Sequence, residues 1–163
     1  MANHNLGFKF IRDVIRYVLI EYWPGIHWTP CGIFVHQNHD SPFTPSVQRI
    51  IQNTLDNNVV WIYKEYDNHF PTKNISAQQH YGFCLELTER MGEPQPENLT
   101  LYFLAICVTV SLITALSVLY DVREAPHISH ILLFSYFAEL VNLGAITDTF
   151  WEELQYMCEL WLR

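Results

Sequence analysis

At 163 residues the chain is long enough for one domain with a substantial core. Half of it is hydrophobic and only 16% is charged, against roughly 25% charged in ordinary globular domains, which excludes a disordered chain and calls for deep burial, a membrane contact or a sticky partner surface. The formal net charge of −8 opposes nucleic-acid binding, and the one basic cluster, Lys9, Arg12 and Arg16, fits a single solvated helix face.

The first predicted element is an amphipathic helix over 6–23. Phe8, Ile11, Ile15, Val18 and Tyr22 form its apolar stripe, Asn5 is a candidate cap, and Pro24-Gly25 stops it. A loop rich in Pro, Gly, His and Asn occupies 24–43. A second helix begins with Thr44 as cap and Pro45 in the first turn, and its stripe runs through Ile51, Leu55, Val59, Ile62 and Tyr66. Asn57-Asn58 weakens its middle, where Val59-Val60-Trp61-Ile62-Tyr63 competes as a strand. A third helix spans about 76–91, opened by a Ser76–Gln79 capping box and closed by Gly92, with Phe83, Leu87 and Met91 on one side.

After the rigid turn Glu93-Pro94-Gln95-Pro96, the chain carries no charge from Asn98 to Tyr120. The following helix, 128–146, has Glu139 as its only carboxylate, and the turn 121–126 joins the two into an apolar helical hairpin. The last helix starts at a second capping box, Thr149 with Glu152, and carries Phe150, Leu154, Met157 and Trp161 on one face. No internal repeat or inter-domain linker interrupts the chain.

The length of the uncharged stretch would let it cross a bilayer. Its flanks are acidic, however: Glu93 and Glu97 on one side, Asp121 and Glu124 on the other, with Arg123 the lone positive charge. The remaining helices are amphipathic and need something apolar to cover. The pattern therefore predicts an all-α bundle wrapped around a buried central helix.

Residue clusters with the makings of a reactive site are thin. His36 and His39 flank Gln37-Asn38 beside Asp40, and His127 and His130 share a helix start; neither pair has the further ligands of a zinc site. His80 and Cys84 stand one helical turn apart, but Cys84 lies in an apolar stripe that suppresses thiolate formation. Glu152 and Glu153 suit a helix N-terminus, with Glu159 further along the same helix. Glycine-rich phosphate loops and nucleophile elbows are not found. The reading is non-enzymatic, with no cofactor or metal expected. Four widely spaced cysteines and an N-terminus without secretory character predict a reducing, cytoplasmic setting. The aromatic share of 15%, with Trp23, Trp28, Trp61, Trp151 and Trp161, is more than a core of this size needs, and such residues are preferred interface anchors.

This helix order resembles the Bcl-2 family of apoptosis regulators, and among them the divergent viral members. In the family's first motif, Asn-Trp-Gly-Arg opens the central helix; here Asn98-Leu99-Thr100-Leu101 keeps the Asn. Its Gly-Gly-Trp corresponds to Thr149-Phe150-Trp151, which keeps the Trp, and its Gly-Asp to Ile51-Gln52. The resemblance implies a Bcl-2-like bundle whose apolar groove takes amphipathic helices of pro-apoptotic proteins and blocks host-cell apoptosis. The expected lining is Asn58, Trp61, Ile62, Tyr66, Leu87, Met91, Asn98, Thr100, Leu101 and Leu104. Two alternatives stay open: Leu101 and Thr100 stand where the family places the Arg that pairs with the ligand's Asp and the Gly that lets the ligand approach, which favours the first, and the length of the uncharged stretch keeps the second. One is a signalling adaptor of the same fold acting through a surface or homodimer face; the other is a small membrane-inserting protein. A usual tail anchor is not expected, which leaves peripheral contact with mitochondria.

Overall fold

The computed structural model describes residues 2–23, 25–35 and 40–163, with the side chains of Ala2 and Asn3 left aside. Pro24 and the His36–His39 pair therefore lie outside the described residues.

Among the described residues six α-helices follow one another: α1 (Ala2–Tyr17), α2 (Pro45–His69), α3 (Ala77–Arg90), α4 (Leu99–Leu119), α5 (Ala125–Asn142) and α6 (Phe150–Trp161). The described residues contain no β-strand. Helix α1 widens into a π-helical turn over Val18–Tyr22, and a 3₁₀ turn over Pro96–Asn98 feeds α4. Two sequence expectations need correction here. Helix α1 starts at Ala2, so Asn5 lies inside it and is not its cap. Val59–Tyr63 is helical within α2: Thr44 accepts from the backbone N–H of Val47, Pro45 supplies a pre-set first turn, and the helix then runs on to His69.

Local capping explains the boundaries of α3. Ser76 and Gln79 form the full reciprocal capping box of α3, and Gly92, with φ +80°, takes the left-handed turn that releases the chain after it. The second predicted box does not form. Thr149 has φ −91° and ψ 0°, not the extended backbone an N-cap oxygen requires, and its hydroxyl donates to Glu153 instead.

The uncharged helix sits at the centre. Helix α4 packs against all five others, and every residue from Ile106 to Ser117 is buried. A helix buried on all sides has no polar face to present, which is why its sequence lacks the periodicity of its neighbours. The 96–119 helix is long and apolar enough to span a membrane, yet 78% of its most apolar window is covered by protein. Around its N-terminal half Phe103 meets Phe10 of α1 at 6.0 Å between ring centroids, Phe137 of α5 at 5.6 Å and Phe150 of α6 at 5.6 Å. Gly7 lets α1 lie directly on the ring of Phe137; a Cβ there would collide with it. One continuous apolar cluster runs through all six helices.

Phe103 is fully buried where four helices meet. Phe103→Ala should cost about 3–5 kcal/mol, as for large aromatic deletions in packed cores. Ile131→Ala, on an exposed position of α5, should change stability by less than about 0.5 kcal/mol. Chemical denaturation of both variants checks the contrast.

Candidate functional site

The residues expected to line a groove come from three elements: α2, α3, and the start of α4 with its 3₁₀ lead-in. They fall into two groups. Ile62, Tyr66, Leu87 and Leu104 are core residues, each no more than 2% exposed. Tyr66 is held by its hydroxyl, 3.1 Å from Ser117 Oγ. Leu101, Thr100, Met91 and Asn58 are half-buried, while Trp61 and Asn98 are exposed. Asn58 donates to the Thr54 carbonyl at 2.7 Å and accepts from Trp61 Nε1 at 2.6 Å, which fixes the indole along the outer side of α2. Asn98 accepts from the backbone N–H of Gln95 and serves the turn before α4. Thr100 Oγ1 donates to Met157 Sδ at 2.9 Å, so this side of α4 faces α6.

Helix α4 is sealed along most of its length but opens at its beginning. Leu99, Thr100, Leu101 and Tyr102 are all half-buried, and so is Ala105 one turn on. Thr100 faces α6, and Tyr102 lines a cleft with α3 and α5. At 100° per residue, Leu101 and Ala105 fall between those directions, on the face flanked by α2 and α3. Those two helices make their main backbone contacts with α4 and reach each other through side chains. Arg90 Nη1 lies 2.9 Å from Glu65, Arg90 Nη2 lies 3.2 Å from Glu86, and His69 Nδ1 lies 3.6 Å from Glu86. The carboxylates hold the Arg90 guanidinium charged, its hydrogen bond to Glu65 contributing most.

Sequence reading missed a polar network inside the bundle. His80 is fully buried on α3. Its Nδ1 lies 2.7 Å from Ser117 Oγ on α4, and its Nε2 lies 2.8 Å from Ser129 Oγ on α5. Ser129 continues to Thr114 Oγ1 at 2.5 Å, and Ser117 continues to Tyr66 on α2. Four helices thus share one chain of hydrogen bonds. Thr114 Oγ1 donates to the Val110 carbonyl at 2.6 Å, so Ser129 donates to Thr114 and accepts from His80 Nε2–H, while His80 Nδ1 accepts from the Ser117 hydroxyl. Burial pulls the imidazole down from 6.5 to about 4. Cys84 Sγ is 3.7 Å from His80 Nε2, but burial pushes this thiol upward, away from the thiolate. The pair is packed into the core with no access for a substrate.

The other clusters are equally committed to structure. His130 Nε2 lies 3.0 Å from the Phe8 carbonyl, and its ring packs edge-on to Phe8 at 4.4 Å. Burial is the main cause that lowers its pKa. His127 packs edge-on to Phe34 at 5.0 Å. Among the described residues no group of three His, Cys, Asp or Glu side chains is placed to hold a metal. All four cysteines are free, and Cys31 alone is exposed.

No protein-family model, curated protein or solved structure matches this chain.

The network sets a pH dependence. Above pH 6.5 His80 is neutral in both folded and unfolded chains and contributes no slope. Between 6.5 and about 4 the unfolded chain takes up a proton that the folded chain refuses, so stability falls as pH falls. The loss attributable to His80 is about 3 kcal/mol once the pH is below both values. Denaturant titrations at pH 7, 5.5 and 4 should show His80→Gln less stable than the parent at pH 7 but with a shallower decline towards acid. Parallel declines would remove His80 as the source.

Proposed function

We propose that this chain is a Bcl-2-like binding module that captures an amphipathic death-motif helix of a pro-apoptotic partner and thereby inhibits host-cell apoptosis. The observation that supports it is the opening at the start of α4. An uncharged helix, enclosed from Ile106 to Ser117, leaves Leu101 and Ala105 half-buried, on the side that helical geometry turns towards α2 and α3. Amphipathic helices bind such apolar floors through anchors at i, i+3 or i+4, and i+7. Trp61 on the rim of α2, 40% exposed, is the type of anchor that dominates interfaces. The helix order and the Asn98 and Trp151 correspondences give the reading its family. A binding role fits the sealed state of the polar groups that touch one another, since His80, Ser117 and Ser129 are all buried. The setting in this reading is the cytoplasm, with peripheral contact at mitochondria.

One observation favours a second reading, an adaptor or homodimer of the same fold that does not use the groove. Thr100 and Leu101 replace the ligand-approach and ion-pairing residues of the family, and Arg90, with Glu65 and Glu86, spans the gap between α2 and α3. Tyr156, Leu160 and Trp161 of α6, between 47% and 64% exposed, would supply the alternative surface.

Fluorescence polarisation with a panel of death-motif peptides should give sub-micromolar binding to the intact chain, and Leu101→Glu or Ala105→Glu should abolish it. A charge at Leu104 would test folding instead, since that side chain belongs to the core. No binding across the panel, together with a stable dimer by light scattering, supports the second reading.

A further inference from the structure

Helix α3 has a second flank, facing away from α2. There α3, the start of α4 and the end of α5 enclose a cleft of about 740 Å³, within the range of sites that hold small ligands or several anchoring side chains. Its floor is apolar and aromatic: Leu85, Tyr102, Tyr136 and Leu140. Tyr102 donates its hydroxyl to the Gly92 carbonyl, which pins the turn after α3 against α4. The Tyr136 hydroxyl is buried and faces that of Tyr102. On the α5 side Leu143 is 73% exposed, the most exposed large apolar side chain of the described residues.

The rim carries one sign of charge. Glu89, Glu93 and Glu139 border the cleft, and none has a basic partner within ion-pair distance among the described residues. No Lys, Arg or His lines it. The nearest cation along α3, Arg90, is turned to Glu65 and Glu86. Two helix C-termini also converge there, since α3 ends at Arg90 and α5 ends at Asn142 beside the lining residues Gly92 and Leu143. Helix C-termini carry the negative end of the macrodipole and favour cations. An apolar floor without a cover, ringed by uncompensated carboxylates and helix ends, fits only an occupant that is apolar and basic together.

We propose that this α3–α5 cleft is a docking site for a short basic amphipathic segment of a partner protein, one that lays an aliphatic side chain beside Leu143 and Tyr136 and sets Lys or Arg against Glu89, Glu93 and Glu139. The site does not rest on the α2–α3 groove and stands or falls separately.

The test uses the full chain and two synthetic helical peptides, one of Leu and Lys and its counterpart of Leu and Glu. Backbone amide shift mapping should show the Leu–Lys peptide perturbing residues 85–94 and 136–145, with the Leu–Glu peptide silent. Affinity should fall with added salt. Glu89→Lys with Glu139→Lys, and separately Leu143→Ala, should each weaken binding about tenfold or more, a change of ~1.4 kcal/mol. Ala105→Glu should leave it unchanged. Glu139→Gln, which keeps the side-chain shape, should weaken binding in the same direction without altering the thermal melt. Binding that ignores these substitutions, shifts that map to another face, or no binding at millimolar peptide would overturn the proposal. So would a concentration-dependent dimer that Leu143→Ala dissolves, because a second copy would then be the occupant.

Discussion

A helix without a charged residue has no face to offer to water, and from Asn98 to Tyr120 this chain has one. Everything else in the architecture answers that constraint. Five amphipathic or apolar helices lie against α4, and each contributes the stripe that its own periodicity supplies. Burying a side chain of Leu, Ile or Phe size contributes about 1.5–3 kcal/mol, and α4 brings such residues on every side. The same constraint explains the aromatic stock. Phe10, Phe103, Phe137, Phe150 and Trp151 fill the volume where α1, α4, α5 and α6 converge, with rings 4.9 to 6.3 Å apart.

Apolar burial alone does not fix how helices rotate against one another, because Leu and Val faces tolerate many registers. The chain of hydrogen bonds through His80 does. Ser117 must meet both Tyr66 and His80, and Ser129 must meet both His80 and Thr114. Rotating α3, α4 or α5 by one residue would leave several of these polar groups buried and unpaired, each at a cost of about 1–3 kcal/mol. The network therefore selects one arrangement among those the apolar faces allow. This gives His80 a structural reason to be neutral, and makes acid the condition that strains the bundle first at this point.

The helices were legible in the sequence because their signals are local. Thr44-Pro45, the Ser76–Gln79 box and Gly92 each act within a few residues and appear where the sequence implies. Thr149 with Glu152 matches the same capping pattern but fails, because its backbone, at φ −91° and ψ 0°, is one that the pattern does not encode. Groove and core were not separable. Leu101 and Leu104 are both apolar residues of one helix, yet one is half open and the other sealed. His80 was visible only as a neighbour of Cys84, since Ser117 and Ser129 lie 37 and 49 positions away. The cleft between α3 and α5 left no periodic trace either: its carboxylates are scattered over two helices and a turn, and each by itself resembles ordinary surface charge.

Helix α3 is the wall common to both openings, and its charges divide them. It carries a single Arg and no Lys, and that Arg90 is engaged on the α2 side by Glu65 and Glu86. Exposed pairs of this kind add little to stability, so they do not lock α2 to α3. They do offset one of the two carboxylates on that side, where the proposed recognition would depend on shape and on anchors such as Trp61. On the α5 side the carboxylates of Glu89, Glu93 and Glu139 remain without counter-charge next to Leu143. Like charges gathered around uncovered apolar surface raise the cost of leaving that surface empty and lower the cost of filling it with a cation. If both proposed sites are used, the placement of one arginine would give the two flanks of α3 different selectivities, the first for an apolar helical face and the second for a basic one.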